Sequence, residues 1–179
     1  MKFSKTPLEG AYLIGLEKHE DERGFFTRTF CANEFEARGL MPQFIQCNLS
    51  YNRKRGTIRG MHYQHPPYGE AKLVQCIRGE LYDVIIDLRP LSKTYRQTFA
   101  VHLAGNSGTM LYIPEGFAHG FQTLQDETEV LYYMSSPYKP EAAAGIRWND
   151  PSFSIVWPLD VKIISERDRH YPDYREFSR

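Results

Sequence analysis

The sequence carries no surplus of charge of either sign: 22 Lys and Arg balance 22 Asp and Glu over 179 residues. A general nucleic-acid binder needs a basic excess to meet phosphates, so the balance argues against that class. It also leaves association between copies of the chain unopposed by self-repulsion. Cysteine is scarce. Cys31, Cys47 and Cys76 are odd in number and widely spaced, with no Cys-x-x-Cys pair, which speaks against a disulfide framework and against a thiolate zinc site. Cys47 and Cys76 read instead as small buried apolar residues. Long apolar runs are missing too. No stretch approaches the ~18 residues of a membrane span, and the opening "MKFSKTPLEG" lacks the apolar centre of a secretory leader. A soluble, cytoplasmic protein is expected. With no low-complexity tract, linker or fixed-period repeat, one domain over residues 1–179 is the simplest organisation.

Aromatics are plentiful, with 12 Tyr and 11 Phe, residues that favour strands and build stacking pockets for flat ligands. "AYLIGLEKHEDERGFFTRTF" reads as two short strands around the charged turn "HEDERG", and "ANEFEARG" as a short helix ending at Gly39. "QFIQCNLSYN" patterns as a strand. "KLVQCIRGELYDVIIDLRP" places two β-branched and aromatic runs around Gly79-Glu80, which predicts a hairpin. "TFAVHLAG", "TMLYIPEGFAHGFQTL" and "TEVLYYMSSPY" supply further strands, and "AAAGIRWNDPSFSIVWPL" reads as loop with bulky anchors. Ser165 in "SERDRHYPDYREF" is placed to cap a short helical turn. Many short strands and few helices mean an all-β sandwich or barrel.

Two histidine stretches carry the chemistry. In "GTMLYIPEGFAHGFQT", Gly108, Pro114, Gly116 and His119 have a spacing that resembles the second motif of the cupin superfamily. A strand ends, Pro114-Glu115-Gly116 turns, and the next strand aims His119 inward. Gly56 and His62 in turn resemble the start of the first cupin motif. Metal-binding cupins place a second histidine two positions after the first. Here that position is Gln64, a poor transition-metal ligand, and His65 points to the opposite strand face. His62, Glu70 and His119 remain as candidate ligands of a damaged set, and no metal is assigned. The neighbours fit proton chemistry instead. Lys72, ten residues after His62, suits oxyanion stabilisation. Tyr132 suits a general acid, and Asp168 is a candidate for the carboxylate that a working histidine needs. Taken singly, each has a plain structural reading: His62 as a hydrogen-bonded core residue, Lys72 as a solvated edge residue, Tyr132 as packing, Asp168 as a helix-dipole partner.

Read together, "DERGFF", "QCNLS", "IRGMHYQ", "KLVQC", "DVIIDLR", "IPEGFAHGF", "EVLY", "GIRWNDP" and "IVWP", in this order and spacing, resemble the dTDP-4-dehydrorhamnose 3,5-epimerases over nearly the whole chain. The resemblance implies a cupin-type jelly roll with a few short helices, a homodimer, and a nucleotide-linked 4-keto-6-deoxyhexose as substrate, in deoxysugar and cell-surface polysaccharide biosynthesis. It implies His62 as the base that removes a proton beside the C4 ketone, Asp168 as its dyad carboxylate, Lys72 as the enolate stabiliser and Tyr132 as the acid on the opposite face. It further implies Arg59 and His119 beside the sugar or pyrophosphate, and Gln46, Asn48 and Tyr138 at the nucleotide. Arg23 and Phe26 would reach in from the partner subunit, and Asp83 would bond to Lys72. No redox cofactor is needed, because the ketone supplies the activation.

The chain departs from the family pattern at Arg28, where an acidic residue is usual, at Tyr68 and Gly69, and at Tyr133, where Lys is common. These departures bear on substrate identity more than on reaction type. Inversion at C3, C5 or both stays open. The competing classes are a metal-dependent cupin enzyme, against which Gln64 counts, and a non-catalytic cupin that binds a sugar nucleotide, against which the set of proton-handling residues counts.

Overall fold

A computed structural model describes residues 1–174 of the chain. The strands, in chain order, are β1 (Lys2–Lys5), β2 (Tyr12–Gly15), β3 (His19–Asp21) and β4 (Gly24–Phe26), followed by helix α1 (Ala32–Glu36). Then come β5 (Gln46–Asn52), β6 (Thr57–Gln64), β7 (Lys72–Arg78), β8 (Glu80–Asp87) and β9 (Thr98–Ala104). The chain continues through β10 (Thr109–Ile113), β11 (Phe117–Thr123), β12 (Thr128–Met134), β13 (Ala143–Gly145), β14 (Ile163–Ile164) and helix α2 (Glu166–Arg169). Among the described residues, no helix is long and apolar enough to cross a membrane.

Two largely antiparallel sheets form a jelly-roll sandwich, as the all-β reading expects. One runs β1-β2-β10-β7-β12-β5, the other β13-β6-β11-β8-β9, with β14 added in parallel to β6. Strand periodicity sends alternate residues to opposite faces, and this sorts the chain into three packed layers. Between the sheets lie Val74, Cys76, Leu111 and Val130 from the first and Leu81, Ile85, Leu103 and Phe121 from the second. The outer face of the first sheet carries Ile14, Leu73, Met110 and Tyr112, covered by α1 through Phe35 and by Phe30 and Phe44. Phe35 is fully buried and meets Phe3, Phe30, Phe44 and Tyr112 edge-on. Burying such a ring contributes about 1.5–3 kcal/mol. The outer face of the second sheet is closed by Ile146, Phe153 and Trp157 of the C-terminal segment over Met61, Val84 and Ile86.

The inward face changes character along its strands, and this change makes the site. On β7, Cys76 and Val74 are core and Lys72 opens on a cavity; on β12, Val130 is core and Tyr132 and Met134 line the cavity.

Four local expectations are corrected. The predicted hairpin at Gly79-Glu80 is not one: β7 pairs with β10 and β12, while β8 pairs with β9 and β11. Gly79, at φ +76, turns the chain from one sheet into the other, and a Cβ there would lie 2.6 Å from Thr128 Oγ1. The two β-rich runs carry the same periodicity whether they pair with each other or not, so the sequence signal could not separate the cases. The turn in "HEDERG" is tighter than expected, because His19–Asp21 is already strand and pairs with Gly24–Phe26. Cys47 is exposed, not buried, because its side of β5, at the sheet edge, is left uncovered. The stretch read as loop after Pro140 contains β13, which pairs with β6.

Candidate active site

Strand β6 sets the geometry. Its register against β11 slips between His119 and Phe121, where Gly60 and Gly120 bring the two backbones together. Gly60 sits at φ +117, and a Cβ on it would fall 2.5 Å from Gly120 Cα. Only glycine tolerates both the conformation and the approach. The Gly60 N–H is thereby free to donate to Asp168 Oδ2 at 3.0 Å. Asp168 is delivered by α2, where the Ser165 hydroxyl accepts from the Asp168 N–H at 3.1 Å, the cap expected from the sequence.

The other Asp168 oxygen, Oδ1, lies 2.7 Å from His62 Nε2. Burial works to raise the Asp168 carboxyl, but the hydrogen bonds from His62, Gly60 and Ser165 together with the His62 charge outweigh it and hold the group below the ordinary carboxylate range. An ionised carboxylate only accepts, so it fixes the proton of neutral His62 on Nε2 and leaves Nδ1 as the basic nitrogen. The Tyr171 ring stands edge-on to the imidazole at 6.0 Å between centroids. It occupies space that any side chain at Gly145 would take, a Cβ there falling 2.3 Å from Tyr171 Cε2.

His62 lines a cavity of about 540 Å³ between the sheets, a size suited to a small-molecule site. The cavity also receives Arg59, Lys72, His119 and Tyr132, and on β5 Gln46 and Asn48, with Tyr138 at its mouth. Arg59 Nε donates to Asn52 Oδ1 at 2.7 Å. Gln46 spends its Oε1 on the Tyr138 N–H at 2.8 Å, which leaves its amide hydrogens for a ligand. Burial pushes the Tyr132 phenol well up, with the Asp83 carboxylate adding to the effect, so Tyr132 holds its proton at neutral pH. His119 Nε2 approaches Asp83 Oδ1 at 2.8 Å with both side chains buried. The contact is out of line for a hydrogen bond: among the described residues neither Asp83 oxygen nor His119 Nε2 has a hydrogen-bond partner.

Asp83 therefore faces His119 and not Lys72, a correction to the expected pairing. Lys72 Nζ lies 3.0 Å from Glu70 Oε1 and donates to the His62 carbonyl oxygen at 3.3 Å. His62, Glu70 and His119, the candidate ligands, are thus each engaged by a different neighbour, and among the described residues no group of three His, Cys, Asp or Glu side chains is placed to hold a metal. Arg23 and Phe26 lie outside the cavity of their own chain. Both are exposed on the β3–β4 hairpin, Arg23 paired with Asp21 and Phe26 beside a smaller cavity with Arg28 and Glu34.

Sequence reasoning missed Ser50 and Arg167 in the cavity wall and Tyr171 beside His62. Ser50 hydrogen-bonds Tyr132, and the alternation of Gln46 and Asn48 could have found it one step further along β5. Arg167 precedes Asp168 and donates to the Tyr138 hydroxyl at 3.4 Å. Tyr171 had no local signal at all.

The profile of a known family, described as dTDP-4-dehydrorhamnose 3,5-epimerase, matches residues 5–176. A dTDP-4-dehydrorhamnose 3,5-epimerase of Methanothermobacter thermautotrophicus is 45% identical, covering 98% of this chain and 95% of the relative. Among solved structures, the Elizabethkingia anophelis dTDP-4-dehydrorhamnose 3,5-epimerase superposes with a TM-score of 0.94 at 36% identity, covering 97% of this chain and 96% of the other. The Bacillus anthracis dTDP-4-dehydrorhamnose 3,5-epimerase, solved with TDP and PPi bound, gives 0.93 at 38% identity, covering 97% and 99%. The chain belongs to the dTDP-4-dehydrorhamnose 3,5-epimerase family and is an epimerase, an enzyme of the isomerase class.

Proposed function

We propose that this epimerase takes dTDP-4-keto-6-deoxyglucose and inverts C3 and C5 by proton removal and return, with His62 as base and Tyr132 as acid. The observation that carries the reading is the 2.7 Å contact between His62 Nε2 and Asp168 Oδ1 in the wall of the cavity. The C4 ketone acidifies the neighbouring C–H bonds. His62 Nδ1 takes the proton, and the C–H electron pair moves into a C–C double bond while the carbonyl pair moves onto oxygen. The enolate formed needs a fixed positive group, and Lys72 supplies it. Tyr132 then returns a proton to carbon from the other side of the ring, the ketone re-forms, and the centre is inverted. Raising of its phenol keeps Tyr132 loaded for this step. Arg59 and His119 meet the sugar or the diphosphate, and Gln46, Asn48 and Tyr138 meet the nucleotide.

The working unit is a homodimer. Two features support this. Edge strand β5 turns Gln46, Asn48 and Ser50 into the cavity and Cys47, Leu49 and Tyr51 outward, Leu49 58% exposed. Among the described residues the β3–β4 hairpin pairs with no other strand, and it presents Phe26 at 76% exposure, ready to complete a neighbouring cavity together with Arg23.

The test is incubation with dTDP-4-keto-6-deoxyglucose, borohydride reduction and identification of the sugars formed. Inversion at both centres is expected. Inversion at C3 alone would replace the double epimerase with a single one, and no inversion of any nucleotide-linked 4-keto sugar would remove the reading.

A further inference from the structure

Lys72 is a single cation on a flexible four-carbon stem, and an oxyanion is stabilised only by a donor held in place beforehand. The structure shows what holds it. Glu70 and Lys72 are both buried, 9% and 5% exposed, with Nζ 3.0 Å from Oε1. Glu70 is in turn fixed at its other oxygen, Oε2, which accepts from Gln64 Nε2 at 3.0 Å. Gln64 is anchored at both ends of its amide. Its Oε1 accepts from the Lys139 N–H at 2.7 Å, and its Nε2 also faces the Tyr68 and Pro137 carbonyls at 2.9 and 3.2 Å.

The backbone under Glu70 is held as well. The Ala71 N–H donates to Ser135 Oγ at 2.8 Å. The Lys72 ammonium has three donors. One goes to the His62 carbonyl and the Glu70 carboxylate closes another side, so what remains faces the cavity that both side chains line.

We propose that Glu70 is a positioning residue of the reaction: clamped by Gln64, its carboxylate aims the Lys72 ammonium at the point in the cavity where the substrate's C4 oxygen gains negative charge. This rests on the proposed enolate chemistry. Gln64, at the position where metal-binding cupins resemble one another in carrying a histidine, here orients a carboxylate that orients a lysine. Glu70 lines the same cavity, but its two oxygens are engaged by Lys72 and Gln64, so its influence passes through the ammonium.

The experiment compares wild type, Glu70→Gln and Gln64→Ala on dTDP-4-keto-6-deoxyglucose, reading kcat, KM and the Kd for dTDP. Glu70→Gln keeps size and an acceptor but removes the charge, and is expected to lower kcat by at least about tenfold, short of the roughly 10²–10³ for loss of an oxyanion donor itself, with KM and the dTDP Kd within about twofold. Gln64→Ala leaves both charges but frees the carboxylate, and is expected to lower kcat by a smaller factor, about threefold, in the same pattern. A Glu70→Gln kcat equal to or above wild type overturns the proposal, as does a fall in kcat matched by an equal loss of dTDP affinity. Should Glu70→Gln fail to fold, Gln64→Ala decides by the same criteria. Wild-type turnover is measured first, so failure of the epimerase reading shows as an inactive wild type and failure of the Glu70 proposal as an active wild type with unaffected variants.

Discussion

Gly60 donates its backbone N–H to the same Asp168 carboxylate that binds His62, at 3.0 and 2.7 Å for the two oxygens. The β6 backbone thus holds both members of the dyad: His62 by covalent continuity, Asp168 by a hydrogen bond made where glycine lets the strand depart from regular pairing.

Replacing Gly60 therefore strikes fold and chemistry together. Gly60→Ala must place a Cβ 2.5 Å from Gly120 Cα at a φ of +117, so backbone has to move. We expect a lower Tm and a kcat reduced well beyond what the remaining folded fraction explains, by at least about tenfold. Circular-dichroism melting beside kinetics on the same preparation checks both.

Asp168→Asn keeps the shape of the dyad and removes its charge. The amide can present an N–H to His62 and favour the wrong tautomer, so kcat should fall by about 10²–10⁴ with KM little changed. The same substitution makes a pH prediction. Asp168 has a folded pKa below the ordinary ~3.9 of a carboxylate, so its ionised form contributes stability that is present above that value and is lost as pH falls through the folded value. Melting curves should show the Tm gap between wild type and Asp168→Asn widest above about pH 5 and shrinking below about pH 4.

In the proposed mechanism, Tyr132→Phe removes the acid and leaves the base. His62 can then still draw a proton from carbon and return one to the same face, so solvent deuterium exchange should persist while epimerisation falls by at least about 10²-fold. Equal loss of the two would contradict separate roles for the two residues. Mass spectrometry of substrate and product resolves them.

Leu49→Glu places a charge on the outward stripe of β5 without touching the cavity face. Light scattering should report a dimer for wild type and a shift toward monomer for the variant; an unchanged dimer would place the interface elsewhere.

How much of this was legible in the sequence differs by element. The alternation in "TEVLYYM" and "QFIQCNLSYN" placed β12 and β5, because one face of each strand is core or cavity. It could not say that β7 and β8 lie in different sheets, since pairing partners are a long-range matter and Gly79 serves a hairpin and a crossover equally well. His62 and Asp168 are 106 positions apart, and only the resemblance joined them. Glu70 was legible as a ligating residue type and not as the counter-ion of Lys72, because Glu70 precedes β7, which starts at Lys72, and a spacing of two outside a strand names no partner. Cys47 misled for a related reason: a small apolar residue on a strand is buried only if something covers that face.

The proposed reaction begins when the His62 imidazole removes hydrogen from carbon beside the ketone. Its most direct measurement is deuterium wash-in at C3 and C5 of dTDP-4-keto-6-deoxyglucose in deuterated water, for wild type and His62→Ala, with dTDP affinity measured in parallel. Wild type is expected to exchange, and His62→Ala to lose exchange by at least about 10²-fold while dTDP still binds; exchange at the wild-type rate in His62→Ala would mean that another group takes the proton.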